Sequence, residues 1–95
     1  METTCRVVIT KFAEKQLKKL PKNIIAAYFT WVRSVEMEGI REVRKLSGYH
    51  DEPLRGDRKG QRSVRLNKSY RVIYEELSVE KVVLIGVQEV NKHDY

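Results

Sequence analysis

The sequence predicts an α+β fold: an N-terminal strand, two helices, then antiparallel strands forming one twisted sheet with the helices on one of its faces. Three observations predict it. A β-branched run, Val7-Val8-Ile9, stands near the start; apolar residues then recur at three- and four-residue spacings; beyond Gly60 apolar and polar residues alternate in runs separated by short turns. With 95 residues, 41% of them hydrophobic, the chain has material for one compact domain, 1–95, and not for two.

Each element has its own signal. Val7-Val8-Ile9, between Arg6 and Thr10, reads as the first strand. Thr10 is placed to cap a short amphipathic helix from Lys11 to Lys19, with Phe12, Leu17 and Leu20 among lysines, and Pro21 interrupts it. A longer helix starts near Pro21 or Lys22, carries Ile24, Ile25, Tyr28, Trp31, Val32 and Val35 on its apolar face, and stops at Gly39. Ile40 to Leu46 is expected to add a helical turn or two. Ser47 to Gly60 holds three of the five glycines and one of the two prolines, so it reads as a loop with turns. Strands follow at about Gln61–Leu66, Tyr70–Leu77 and Lys81–Val90. Their connections, Asn67-Lys68-Ser69 and Ser78-Val79-Glu80, have hairpin length. Helices on one face leave the other free to bind.

Charge and composition narrow the function. A formal net charge of +6 favours nucleic acid or an acidic protein as partner. Cys5 is the single cysteine and has no internal partner, so no oxidising compartment is indicated and the cytoplasm is the expected location. The start lacks a basic region followed by a long apolar stretch, and no apolar run approaches membrane-spanning length. The phosphate-cradling G-x-x-x-x-G-K-[ST], the dinucleotide G-x-G-x-x-G and the metal-binding H-E-x-x-H are all absent. One cysteine and two histidines, with scattered carboxylates, give no zinc spacing, so neither metal nor cofactor is expected.

The basic turn Arg55-Gly56-Asp57-Arg58-Lys59-Gly60 runs into Gln61-Arg62-Ser63-Val64-Arg65-Leu66 and Tyr70-Arg71-Val72-Ile73-Tyr74, so cations are interleaved with strand residues. Alternation points Arg65 away from Val64 and Arg71 away from Val72, which buries the apolar side and offers guanidiniums on the other. Between Arg55 and Arg71 there are seven Lys or Arg and one acidic residue, a lopsided surface suited to phosphates. RNA phosphodiesters are cut without metal when the 2′-hydroxyl attacks the adjacent phosphate. That reaction needs a base, an acid and cations around the phosphorane. Arg62, Arg65 and Arg71, with His93 and Tyr95 of the terminal Val90-Asn91-Lys92-His93-Asp94-Tyr95, supply those residue types.

Three blocks, Leu54 to Leu66, Ser69 to Tyr74 and Val90 to Tyr95, together resemble the RelE/ParE toxin superfamily, in particular its RelE- and HigB-like messenger-RNA interferases. The resemblance runs from Val7 to Tyr95. It implies a type II toxin that enters the ribosomal A site, cuts the bound codon and so inhibits translation, with a cognate antitoxin, the ribosome and mRNA as partners. It implies that Arg71, matching the arginine of the family's Tyr-Arg strand motif, sits at the scissile phosphate. Arg65 matches a basic strand position of RelE-like members, and His93 and Tyr95 match the basic or imidazole residue and the aromatic of the tail. Arg55, Arg58, Lys59, Arg62 and Lys92 are then expected to hold RNA backbone. The chain departs from the pattern at Glu52, which precedes Pro53-Leu54 where some HigB-like toxins carry a functional histidine; His50 is the nearest. It departs again in the tail, where only Asp94 separates His93 from Tyr95.

Plainer readings stand beside these. The arginines would then be a solvated sheet face, His93 and Tyr95 a frayed end, His50 a loop histidine, and Tyr28, Phe29 and Trp31 core and partner surface. Superfamily membership also admits a ParE-like gyrase-inhibiting toxin, and composition admits a non-catalytic RNA- or antitoxin-binding module.

Overall fold

The computed structural model describes residues 4–79 and 82–92. Strand β1, Thr4–Ile9, leads into α1, Lys11–Lys18, and the long α2, Lys22–Glu38; a short α3 spans Ile40–Val43. The Thr10 hydroxyl accepts from the Ala13 amide at 3.1 Å, the expected cap of α1. Pro21 separates the two helices, and Gly39, at φ +90°, ψ 150°, ends α2 in a conformation open essentially to glycine alone. After two 3-10 turns, Ser47–Tyr49 and Gly56–Arg58, with a two-residue strand β2, Glu52–Pro53, between them, come β3, Gln61–Arg65, β4, Tyr70–Val79, and β5, Val82–Lys92.

The five strands form one sheet in the order β1-β5-β4-β3-β2. Strands β3, β4 and β5 pair antiparallel with one another, as expected; β2 adds antiparallel to β3 within the expected loop, and β1 lies parallel to β5 at the far edge. The outward amide of Val7 on that edge donates to the Glu36 carboxylate of α2 at 3.0 Å, which blunts a pairing edge. Helices cover one face. Ala13, Leu17, Tyr28, Trp31, Val35, Ile40 and Val43 from the helical layer meet Val64, Val72, Tyr74, Ile85, Val87 and Val90 from the sheet, all buried. None of the described helices is long and apolar enough to cross a membrane.

A β-bulge in β5 sets what each face carries. Ile73 pairs with Glu89 but Tyr74 pairs with Val87, leaving Gln88 as the extra residue. Val87 and Val90, three apart, would fall on opposite faces of a regular strand. The bulge lets both face the core, and it sends Glu89 and Asn91 to the open face with Arg71.

Candidate functional site: a basic cleft on the open sheet face

Register decides which arginines meet. Arg65 is directly opposite Arg71, and Arg71 is directly opposite Asn91, so these three share the face away from the helices. Arg62 is opposite Tyr74 and lies on the helix side with Val64. The expected cluster of three is therefore a pair, because residues 62 and 65 differ by an odd step along a strand.

The pair opens onto a small cleft of about 50 Å³, lined also by His50, Glu52, Ser63, Asn67, Lys68 and Tyr70. The β3–β4 turn is held by Asn67, whose side-chain oxygen accepts from the amides of Ser69 at 2.7 Å and Tyr70 at 2.9 Å. Glu52 is opposite Ser63, which aligns the preceding chain with Arg65 and brings His50 to the cleft. Among the described residues neither Arg65 nor Arg71 has an ion pair or side-chain hydrogen bond, and the buried Nε of Arg71 has no acceptor. Like charges placed directly opposite across strands are destabilising, and an unpartnered buried donor costs more. Both penalties fall at one place.

The remaining expected RNA contacts are distributed. Arg55 and Lys59 are exposed in the loop. Arg58 reaches over the open face to Glu89, 2.5 Å away, beside Ile73, which is fully buried on that side. Lys92, exposed, is opposite Tyr70 and so alternates away from Asn91 and Arg71. His93 and Tyr95 lie outside the described residues. His50 and Glu52, outside the expected set of site residues, also line the cleft. The only signal for them was their place before Pro53-Leu54.

Arg62 belongs to a second cluster on the helix side. Its Nε donates to the Asp51 carboxylate at 2.6 Å, and the Tyr74 hydroxyl donates to the other Asp51 oxygen at 2.5 Å. Arg44 donates to the Tyr74 hydroxyl at 3.2 Å and to Glu76 at 3.0 Å. Burial first, then the hydrogen bond to Asp51, pushes the Tyr74 phenol well above its ordinary range. Burial alone would lower the Arg44 guanidinium; its contacts with Tyr74, Glu76 and Asp51 outweigh that and raise it. An arginine so engaged is a structural cation. Among the described residues no three His, Cys, Asp or Glu side chains gather closely enough to hold a metal ion.

No family model matches the chain, and no curated protein matches it in sequence. Solved structures do match. The toxin–antitoxin complex RelBE2 from Mycobacterium tuberculosis is similar at 26% identity and a TM-score of 0.66, covering 96% of this chain and 99% of that one. A YoeB/ParE toxin from Agrobacterium tumefaciens gives 16% identity and a TM-score of 0.72 over 94% and 99%. The DinJ-YafQ toxin-antitoxin complex of E. coli gives 17% and 0.63 over 95% and 93%. The mixed sheet, the helical layer and the likeness along nearly the whole chain together make this the RelE-like toxin fold.

Proposed function

We propose that this chain is the toxin of a type II toxin–antitoxin module, a ribosome-dependent, metal-independent endoribonuclease that cuts messenger RNA in the A site. The observation that carries the reading is the Arg65–Arg71 pair: two guanidiniums opposite one another, without a carboxylate partner among the described residues, in a cleft with His50 and Glu52. The ligand such a pair lacks is an anion. A phosphate gaining a second negative charge in the transition state is the anion it would stabilise most. Ribosome dependence rests on the likeness to RelE-type toxins.

The chemistry balances without an added reagent. The 2′-oxygen attacks the adjacent phosphorus as its proton passes to a base; the bond from phosphorus to O5′ breaks, and O5′ takes a proton from an acid. A 2′,3′-cyclic phosphate and a 5′-hydroxyl result. Glu52, a carboxylate at the cleft, suits the base. A protonated imidazole suits the acid, either His50 in the cleft or His93, one residue past the described end of β5. Arg65 and Arg71 hold the phosphorane, and Tyr95 positions the substrate from the tail. Arg55, Lys59 and Lys92 contact RNA backbone, whereas Arg58 and Arg62 are engaged within the protein.

The partner is a cognate antitoxin, a proposal supported by similar toxins having been solved with theirs. The cytoplasm is where such a toxin meets ribosomes. Primer extension on a defined message in a purified translation system tests the reading. New 5′ ends at A-site codons, present only with ribosomes, are the expected result. Intact message with undisturbed translation would refute it and favour gyrase inhibition or plain binding.

A further inference from the structure

His50, Asp51 and Glu52 are consecutive, and their side chains part company. His50 and Glu52 line the cleft, while the Asp51 side chain turns to the helix side of the sheet, where it is 1% exposed. There one carboxylate oxygen takes Arg62 Nε at 2.6 Å and the other takes the Tyr74 hydroxyl at 2.5 Å; Arg62 Nη2 also reaches the Asp51 carbonyl at 3.5 Å. The anchors are rigid. Tyr74 is fully buried in β4 with its ring 5.6 Å from that of Trp31, and Arg44, at the end of α3, ties Tyr74 to the helical layer. A buried carboxylate is costly unless charged and neutral donors both meet it, and here they do. Next to it His50 has φ +45°, the only non-glycine among the described residues at positive φ. Such a conformation persists where its surroundings impose it.

We infer that Asp51 is a positioning residue: its carboxylate, tied to Arg62 and Tyr74, fixes residues 50–52 so that His50 and Glu52 face Arg65 and Arg71. The inference rests on the cleft being the phosphodiester site. Its geometric content is separable from that reading, because the orientation of His50 is observable without any cleavage.

Asp51→Asn keeps the shape and removes the charge; Tyr74→Phe keeps that charge and removes the hydrogen bond given to Asp51 together with the one taken from Arg44. Each is compared with the unaltered chain by imidazole NMR of His50, with inorganic phosphate as the probe ligand, and by single-turnover cleavage on programmed ribosomes. The expected result for Asp51→Asn is a displaced His50 resonance, a weaker response to phosphate, and a cleavage rate lowered about tenfold to a hundredfold with KM little changed. Tyr74→Phe moves the same quantities less, and it decides the matter if Asp51→Asn does not fold. Folded variants with the His50 signals and the rate of the unaltered chain would overturn the inference. Unimpaired cleavage by both His50→Ala and Glu52→Gln would instead sink the reading of the cleft, while the NMR comparison still judges whether Asp51 orients His50.

Discussion

Arg65 and Arg71 are placed where stability alone would not put them. Two guanidiniums facing across a strand pair repel, and neither forms an ion pair among the described residues. Arg65→Gln is therefore expected to stabilise the protein, by about 0.2–1 kcal/mol at low salt, while reducing cleavage. Urea unfolding at two salt concentrations checks this, and a gain that shrinks as salt rises identifies its origin as charge. Strand parity was readable in the sequence: Arg62 shares its side with Val64, Arg65 does not. What parity could not supply was the partner of Arg62. Asp51 comes from a glycine-rich loop whose path no local rule determines.

Helices α1 and α2 were the most legible elements because their ends carry distinct chemistry, with Thr10 as cap, Pro21 as break and Gly39 as stop. Gly39 supports a direct test. A Cβ there would meet nothing within 4 Å, so any cost of Gly39→Ala comes from φ +90° alone. About 1–3 kcal/mol is expected, measured by chemical denaturation. Strand β2 was missed for a physical reason: two residues, one of them proline, show no alternation. The bulge in β5 left a trace, in that Val87 and Val90 are three apart and both apolar, but a strand taken as regular hides it. That bulge is what places Glu89 and Asn91 on the cleft face.

At the scale of the whole molecule, one sheet face is spent on the helical core and the other carries the basic cleft. The parallel pairing of β1 with β5 joins the ends of the chain and is invisible to local periodicity, since it depends on how the helices return the chain. Burying the core sets an alkaline limit. Burial first, then the nearby Glu36 charge, raises the Tyr28 phenol to about 12, and Tyr74 is raised as well. The unfolded chain releases these protons from about pH 10, where the native state still holds them, so the stabilisation is whole below that pH and is lost as pH climbs toward 12. Tyr28 alone accounts for about 2–3 kcal/mol across that window, and Tyr28→Phe should flatten the dependence of the urea midpoint on pH. The proposed chemistry turns on Arg71, near the start of β4 on the open face. Its most direct test is the single-turnover cleavage rate of a programmed-ribosome message by the unaltered chain and by Arg71→Ala, with folding and ribosome binding verified for both. The Arg71→Ala variant is expected to be slower by about a hundredfold to a thousandfold; equal rates would mean that Arg71 does not act at the scissile phosphate.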